Sequence, residues 1–375
     1  MKDPSKHADP ESRDSGLQSN WSRRRFLAAL GIAASGAAVQ SCKKKSSPTS
    51  PDQQDDQTYT GTARVAVADV RTYNRAELKA ALITMFDQIG GLSDIIGQGD
   101  TVGMKVNLTG GTGSLGSYSD TACETFWTHP EVVRAVGELV KDAGASKVYI
   151  VESVYDWDSF TDYGFDTVAN YLGGQLVDLN KTPPYTSYVT RNVGDGWLIY
   201  KTLKQNQVLD ECDCFISLPK AKRHKGAGVT HAMKNLVGTL PVPVGLYNAG
   251  ASNRSAIHQH RKYDGNVNSN LCRVVIDLNL ATRIHLAVTD AIKTVLGSEG
   301  PWNRDFQPAV FNRLIASKDV VAADSVATKV IGFDPMAADL TVPFPDSINY
   351  LRLATEKGMG QYDLSKIEVL GMPIS

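Results

Sequence analysis

The sequence predicts an α/β domain with a mostly parallel sheet and flanking helices, arranged in one lobe or in two around a cleft. Three observations carry this. Short apolar runs of strand length alternate with stretches of helical spacing. Between Asp100 and Glu152 a strand, a loop, a helix and a second strand follow at the spacing of a βαβ unit. Polar and charged residues gather directly after predicted strands, where α/β sheets bind ligands.

The elements follow in order. Val65 to Val70 reads as a strand. Asn74 to Ile89 has helical spacing, with Leu78, Ala81, Leu82 and Met85 on one face. Asp100 to Val106 reads as a buried strand, and the glycine-rich loop Thr109-Gly110-Gly111-Thr112-Gly113 follows it. Thr128 caps the next helix, Pro130 suits its first turn, and Gly144 ends it after Ala143. Lys147 to Glu152 is a strand. A helix leading to a short strand spans Tyr163 to Leu179. Leu198 to Leu203, Cys212 to Leu218, Arg283 to Thr289 and Asn312 to Ser317 read as further strands. Asp319 to Val330 and Ser347 to Lys357 read as helices, Asp319 serving as a cap.

Of the 375 residues, 42% are hydrophobic and 21% charged, which is ordinary for a globular chain. The formal net charge of -1 argues against a general nucleic-acid binder, so no nucleic-acid partner is expected. The five cysteines include no C-x-x-C pair, which gives no signal for a ferredoxin-type cluster or a zinc ribbon. Cys212 and Cys214, two apart on a predicted strand, are expected on one face as small buried residues.

Residues 1–42 have the order of an export signal. Ser22-Arg23-Arg24-Arg25-Phe26-Leu27 matches the twin-arginine type, and the apolar run from Ala28 to Val39 is too short to span a membrane. Val39-Gln40-Ser41-Cys42 resembles a lipobox, which would acylate Cys42. Residues 43–62 hold almost nothing to bury and read as a disordered tether, with the α/β domain at 63–375. The expected location is the periplasmic or cell-surface side, with the membrane as a partner through the lipid on Cys42. Export by this route often accompanies a cofactor loaded before transport, but the sequence names none.

The candidate chemistry sits after the strands. Lys105 and Asn107 lead into the glycine loop, whose backbone N–H groups could hold a phosphate or carboxylate, though it matches neither standard phosphate-loop pattern. Ser217 to Leu218 then runs into Lys220, Lys222, Arg223, His224 and Lys225. If a helix starts at Thr230, His231, Lys234 and Asn235 share one of its faces. Lysines gathered there would neutralise an anionic group, and a neighbouring cation would lower the pKa of His231 or Lys234, which favours acid–base work near neutrality. Asp290 and Glu299 lie at strand ends as candidate bases or cation ligands. His258 and His260 could share a strand face and bind metal, but their surroundings read as a surface loop. No Gly-x-Ser-x-Gly elbow supports a serine hydrolase.

Several stretches resemble, in order and spacing, the family known as domain of unknown function 362. They are Val102-Gly103-Met104-Lys105-Val106-Asn107-Leu108, His129-Pro130-Glu131-Val132-Val133, Pro219 to His224, and Met233-Lys234-Asn235-Leu236-Val237-Gly238. Val288 to Ile292, Glu299-Gly300-Pro301 and Ala316 to Asp324 complete them, covering about 100 to 335. The resemblance implies no established activity. Many relatives carry an appended ferredoxin-like module with cysteine motifs, and this chain reads as a member without it. The strand-end Lys/His arrangement is also similar, by analogy of layout alone, to that of nickel-pincer lactate racemases.

Two readings from different classes follow. In the first, a cleft holds a small anionic ligand, carboxylate or phosphate, neutralised by Lys105, Lys220, Lys222 and Lys234, with Asn107 and Asn235 beside it. His224 or His231 carries a proton, Asp290 or Glu299 acts as base or metal ligand, and the chemistry is proton transfer or redox. In the second, the protein is a non-catalytic solute- or partner-binding lipoprotein, which needs the same cations but no general acid.

Overall fold

The structure is a computed structural model, and the residues it describes are 62–115, 121–241, 257–258 and 265–374. The predicted export signal, Cys42 and the tether up to residue 61 lie outside them, as does His260. The chain runs β1 (Arg64–Asp69), α1 (Arg75–Gln88), β2 (Thr101–Lys105), α2 (Pro130–Ala143), β3 (Lys147–Glu152), α3 (Asp158–Thr161), α4 (Phe165–Leu172) and β4 (Gln175–Asp178). A small hairpin follows, β5 (Val189–Asn192) with β6 (Thr202–Gln205), and then β7 (Cys214–Ser217), β8 (Lys220–His224), β9 (Gly228–Thr230) and α5 (Ala232–Asn235). The last part is α6 (Val267–Ala281), β10 (Leu286–Leu296), β11 (Gln307–Ser317), α7 (Val320–Val330), α8 (Tyr350–Glu356) and β12 (Glu368–Gly371).

The main sheet is ordered β12-β1-β11-β10-β7-β2-β3-β4. It is parallel from β10 through β4. β11 runs antiparallel to both β10 and β1, and β12 is parallel to β1. The chain leaves β2 toward β3 on one side, while β7 leads to β10 on the other. The order therefore reverses between β2 and β7, and a crevice opens at their carboxyl ends.

Apolar alternation along these strands fills both faces. Val102, Met104, Ile150, Cys214 and Ile216 pack with α1, α2 and α4 on one side, and Tyr149, Val151 and Phe215 pack with α6 and α8 on the other. The caps follow local chemistry. Asn74 Oδ1 accepts from the N–H groups of Ala76 and Glu77 at 3.0 and 3.3 Å, and Gly144 closes α2 at φ 121°.

Three expectations need correcting. The cap of α2 is His129, whose Nδ1 accepts from Glu131 N at 3.2 Å, because the Thr128 hydroxyl is already used: it accepts from Asn107 N at 2.8 Å and donates to Leu218 O at 2.5 Å. Residues 198–200 form no strand; Asp277 on α6 accepts from the backbone N–H groups of Leu198, Ile199 and Tyr200 at 2.6–2.8 Å and holds them as a loop. The strand at 214 starts after Cys212, so alternation does not apply, and the two cysteines pack on opposite faces. Both thiols are pushed up by burial, Cys212 to about 12, which leaves them inert. Lys220 to His224, to which the sequence assigns no element, is itself a strand. It lies parallel to β10 and forms a hairpin with β9.

Candidate functional site

The site grows from the crevice between β2 and β7. Lys105 ends β2, directly beside Ser217 at the end of β7. The Asn235 amide bridges the two strand ends, donating to Lys105 O at 3.0 Å and Ser217 Oγ at 3.1 Å. α5, which carries Lys234 and Asn235, is too short to hold itself. Asp324 on α7 accepts from its first N–H groups, Ala232 at 2.8 Å and Met233 at 3.0 Å, and Asn279 on α6 donates to Met233 O at 2.9 Å. Burial raises the Asp324 carboxyl to about 8 against the pull of those two N–H groups.

Above the crevice is a cavity of about 320 Å³, lined by residues that include Asn107, Glu152, Lys222, His224, Lys234 and Glu299. Apart from Lys222, in the middle of β8, each comes from the carboxyl end of a strand or the segment after it. Lys105 lies beneath, fully buried, with Nζ donating to Glu152 Oε2 at 2.8 Å, Val106 O at 2.6 Å and Asn235 Oδ1 at 3.3 Å. Glu152 also accepts from Leu108 N at 3.2 Å and Ser153 N at 2.9 Å. Gly238 lets α5 and its following turn close on this pair: a Cβ there would stand 2.1 Å from Glu152 Oε1 and 2.5 Å from Lys105 Nζ.

Lys222 lines the cavity without a carboxylate in its hydrogen-bond shell. Its Nζ donates to Phe126 O at 2.8 Å, Asn107 Oδ1 at 3.0 Å and Glu299 O at 3.4 Å. Burial lowers its pKa to about 7; the charges of Lys234 and Lys220 push the same way, while Glu299 and Glu152 oppose. Three oxygen acceptors suit the three hydrogens of an ammonium, and burial favours the neutral amine, so the group titrates near neutrality.

His224 is fixed by its neighbours. Nδ1 accepts from Gly226 N at 3.1 Å and Ala227 N at 3.0 Å, which places the ring hydrogen of the neutral form on Nε2. Burial first, then the charge of Lys234, holds its pKa well below the ordinary value. The ring is therefore a hydrogen-bond donor at the cavity, not a ready base. Glu299 accepts from Lys225 N at 3.2 Å and Asn303 Nδ2 at 3.1 Å. Burial works to raise its pKa, but backbone N–H groups and the charge of Lys234 outweigh that and hold it down. With Lys222 protonated, Lys105, Lys222 and Lys234 face Glu152 and Glu299, a surplus of one positive charge.

Among the residues singled out from sequence, Asn107, Lys222, His224, Lys234, Asn235 and Glu299 meet at the cavity, as does His258. Lys220 and Asp290 do not. They form a separate buried pair, Nζ to Oδ2 at 2.6 Å, with Cys123 O and Tyr73 Oη as the other acceptors of Lys220 at 2.8 and 3.0 Å. His231 turns away toward α7. Its Nε2 meets Thr328 Oγ1 at 3.2 Å, its Nδ1 is buried without a partner, and burial lowers its pKa to about 3. The glycine loop supplies Thr109, Gly110 and Ser114 to the wall, but the Thr112 N–H goes to Asp156 Oδ2 at 2.8 Å and the Ser114 N–H to Gly111 O at 3.2 Å. Among the described residues, no group of three or more His, Cys, Asp or Glu side chains could hold a metal ion, and no helix is long and apolar enough to cross a membrane.

Sequence reasoning passed over Glu152, Trp302 and Tyr155. Glu152 carried the same signal as Lys105, a charge ending an apolar strand. The two aromatics had none.

Comparison with known proteins gives the following. The chain is 26% identical over 272 residues to a thylakoid-associated protein of Synechocystis sp., covering 72% of this chain and 75% of that one. Among solved structures, a protein from Thermotoga maritima matches at TM-score 0.34 and 11% identity over 68% of this chain. The lactate racemase apoprotein of Thermoanaerobacterium thermosaccharolyticum matches at TM-score 0.37 and 16% identity over 65%. This chain spans 58% and 52% of those two proteins, and similarity at this level carries no argument about chemistry. The order of motifs around the crevice has a firmer counterpart: residues 102–329 match the family described as "Domain of unknown function (DUF362)", and the chain belongs to that family.

Proposed function

We propose that the domain binds a small carboxylate or phosphate in the cavity above β2 and β7, and that Lys222 exchanges a proton with it. One observation carries this reading: Lys222, Lys234 and a histidine held as an Nε2–H donor line a single cavity at the point where the strand order reverses. In a buried site such donors act with little solvent screening. The fixed tautomer of His224 suits it to hold an anionic oxygen. The titration of Lys222 near neutrality suits it to give or take the proton, the role that His224 or His231 had in the sequence-based expectation.

The reading has a pH signature. An anion favours the ammonium form of Lys222, so its affinity is full below about pH 7 and falls as pH rises through that value, by up to about tenfold per unit. Calorimetric titration of the purified protein with inorganic phosphate and acetate, from about pH 6 to about pH 9, measures this. We expect the fall in the parent protein and a flat, weaker profile in Lys222→Met. An affinity that does not change with pH in the parent protein, after correction for the titration of phosphate itself, would remove Lys222 from the proton-carrying role.

A further inference from the structure

Lys222 is built differently from its buried neighbours. Lys105 Nζ donates to Glu152 Oε2 at 2.8 Å and Lys220 Nζ to Asp290 Oδ2 at 2.6 Å, so each has a carboxylate partner. The three acceptors of Lys222 are neutral: Phe126 O at 2.8 Å, Asn107 Oδ1 at 3.0 Å and Glu299 O at 3.4 Å. A neutral amine has two hydrogens for the two shorter contacts. Its lone pair makes no hydrogen bond to a carbonyl oxygen, so the long contact is given up. Asn107, Lys222 and Glu299 all line the cavity, so the position released lies at its wall. A lysine desolvated in this way, next to another cationic group, is activated as a nucleophile toward carbonyl carbon. Lys234 lines the same cavity, and its charge acts on Lys222.

The donors around it say what else the carbonyl compound carries. His224 stands two residues along β8 from Lys222 and lines the same cavity, the two Cα atoms about 7 Å apart. Its ring carries the hydrogen on Nε2. Once the Lys222 amine is spent on a carbonyl, the charge of Lys234 and this N–H remain to hold a carboxylate beside that carbonyl. The volume of about 320 Å³, that of roughly ten waters in the liquid, admits a short acid of this kind. We infer, resting on the anion-binding reading above, that the ligand is an α-oxo carboxylic acid and that Lys222 Nζ forms an imine with its carbonyl carbon. The nitrogen lone pair makes the new C–N bond and the carbonyl oxygen leaves as water. The two hydrogens of that water are the two that the amine carried, so no oxidant or reductant enters. An inorganic phosphate takes the same donors but offers no carbon to attack.

The test traps the imine on the full chain with pyruvate and sodium cyanoborohydride at about pH 7, followed by intact mass and peptide mapping. At that pH about half of Lys222 is the neutral amine, against fewer than about one in a thousand of ordinary exposed lysines. The expected product is a single adduct on Lys222, heavier by one pyruvic acid less one oxygen atom. Lys222→Arg, folded by circular dichroism, should lose it. Acetone serves as the carbonyl without a carboxylate. The preference of Lys222 for pyruvate over acetone should exceed that of the free amine Nα-acetyllysine by at least about tenfold, the contribution of a held carboxylate. Pyruvate that binds by calorimetry but leaves no adduct on Lys222, or labels exposed lysines equally, would overturn the inference and leave the anion site standing. An adduct on Lys222 with no preference beyond that of the free amine would overturn the α-oxo acid as ligand. If pyruvate neither binds nor reacts, the anion-binding reading fails and the inference falls with it.

Discussion

Replacing Lys234 with Met is expected to weaken anion binding by about two to three orders of magnitude and to leave the domain folded. The side chain lines the cavity, and its charge acts on both His224 and Glu299. Removing one partner of a buried, hydrogen-bonded charge contact costs about 2–5 kcal/mol of binding, and each 1.4 kcal/mol is about tenfold in affinity. Met keeps the aliphatic stem that packs along the wall, so the loss falls on binding rather than on the core. The backbone of α5 is held from outside by Asp324 and Asn279, which the substitution does not touch. Calorimetric titration alongside a thermal melt decides the matter. A melting temperature lowered by more than about 10 °C would make Lys234 a structural residue instead.

Replacing Lys105 with Met should have the opposite profile, a loss of stability first. Lys105 and Glu152 are 0% and 4% exposed, so the substitution strands a carboxylate in the interior. Breaking a buried pair in this way costs about 3–5 kcal/mol, because the remaining charge keeps its desolvation penalty without its partner. Glu152 still accepts from Leu108 N and Ser153 N, which limits the loss toward the lower figure. Adding Glu152→Gln to Lys105→Met should recover a large part of it, since no unpaired carboxylate is then left at that position. The surface pair Arg64–Glu368 has side chains 48% and 47% exposed, and Arg64→Ala should change stability by less than about 1 kcal/mol. Urea denaturation of the four proteins measures all three terms. Equal losses at Lys105 and Arg64 would mean that the buried pair is solvated in solution.

The sequence made some of this legible, for physical reasons. β2 and β3 are largely apolar runs, as buried parallel strands should be, α1 and α2 carry apolar faces, and Gly144 marks the end of α2. Three features were hidden. β8 carries no apolar run that would mark it as a strand, because Lys220, Lys222 and Arg223 stand in it. Both lysines are in fact buried, with acceptors from the 122–127 segment: Cys123 O for Lys220 and Phe126 O for Lys222. Only the tertiary position of that segment shows this. α6 went unseen because Asn270, Asp277 and Asn279 interrupt its apolar stripe. Each of these is buried, and Asp277 and Asn279 tie down distant backbone at 198–200 and at Met233. His231 was grouped with Lys234 on helical spacing. The helix begins only at Ala232, and the non-helical backbone at His231, φ -134° and ψ -143°, lets the ring meet Thr328 on α7 instead. The lysines that line the cavity were visible in the sequence. Which of them line it depended on a strand that their own charge disguised.

The central claim is that Lys222, Lys234 and His224 together hold an anion. Crystals of the protein grown with sodium selenate at about pH 6.5, where Lys222 is largely protonated, test this by anomalous diffraction at the selenium edge. The account predicts a selenium peak in the cavity, with selenate oxygens within hydrogen-bond distance of Lys222 Nζ, Lys234 Nζ and His224 Nε2. Selenate bound only at surface lysines, with no peak in the cavity at saturating concentration, would contradict it.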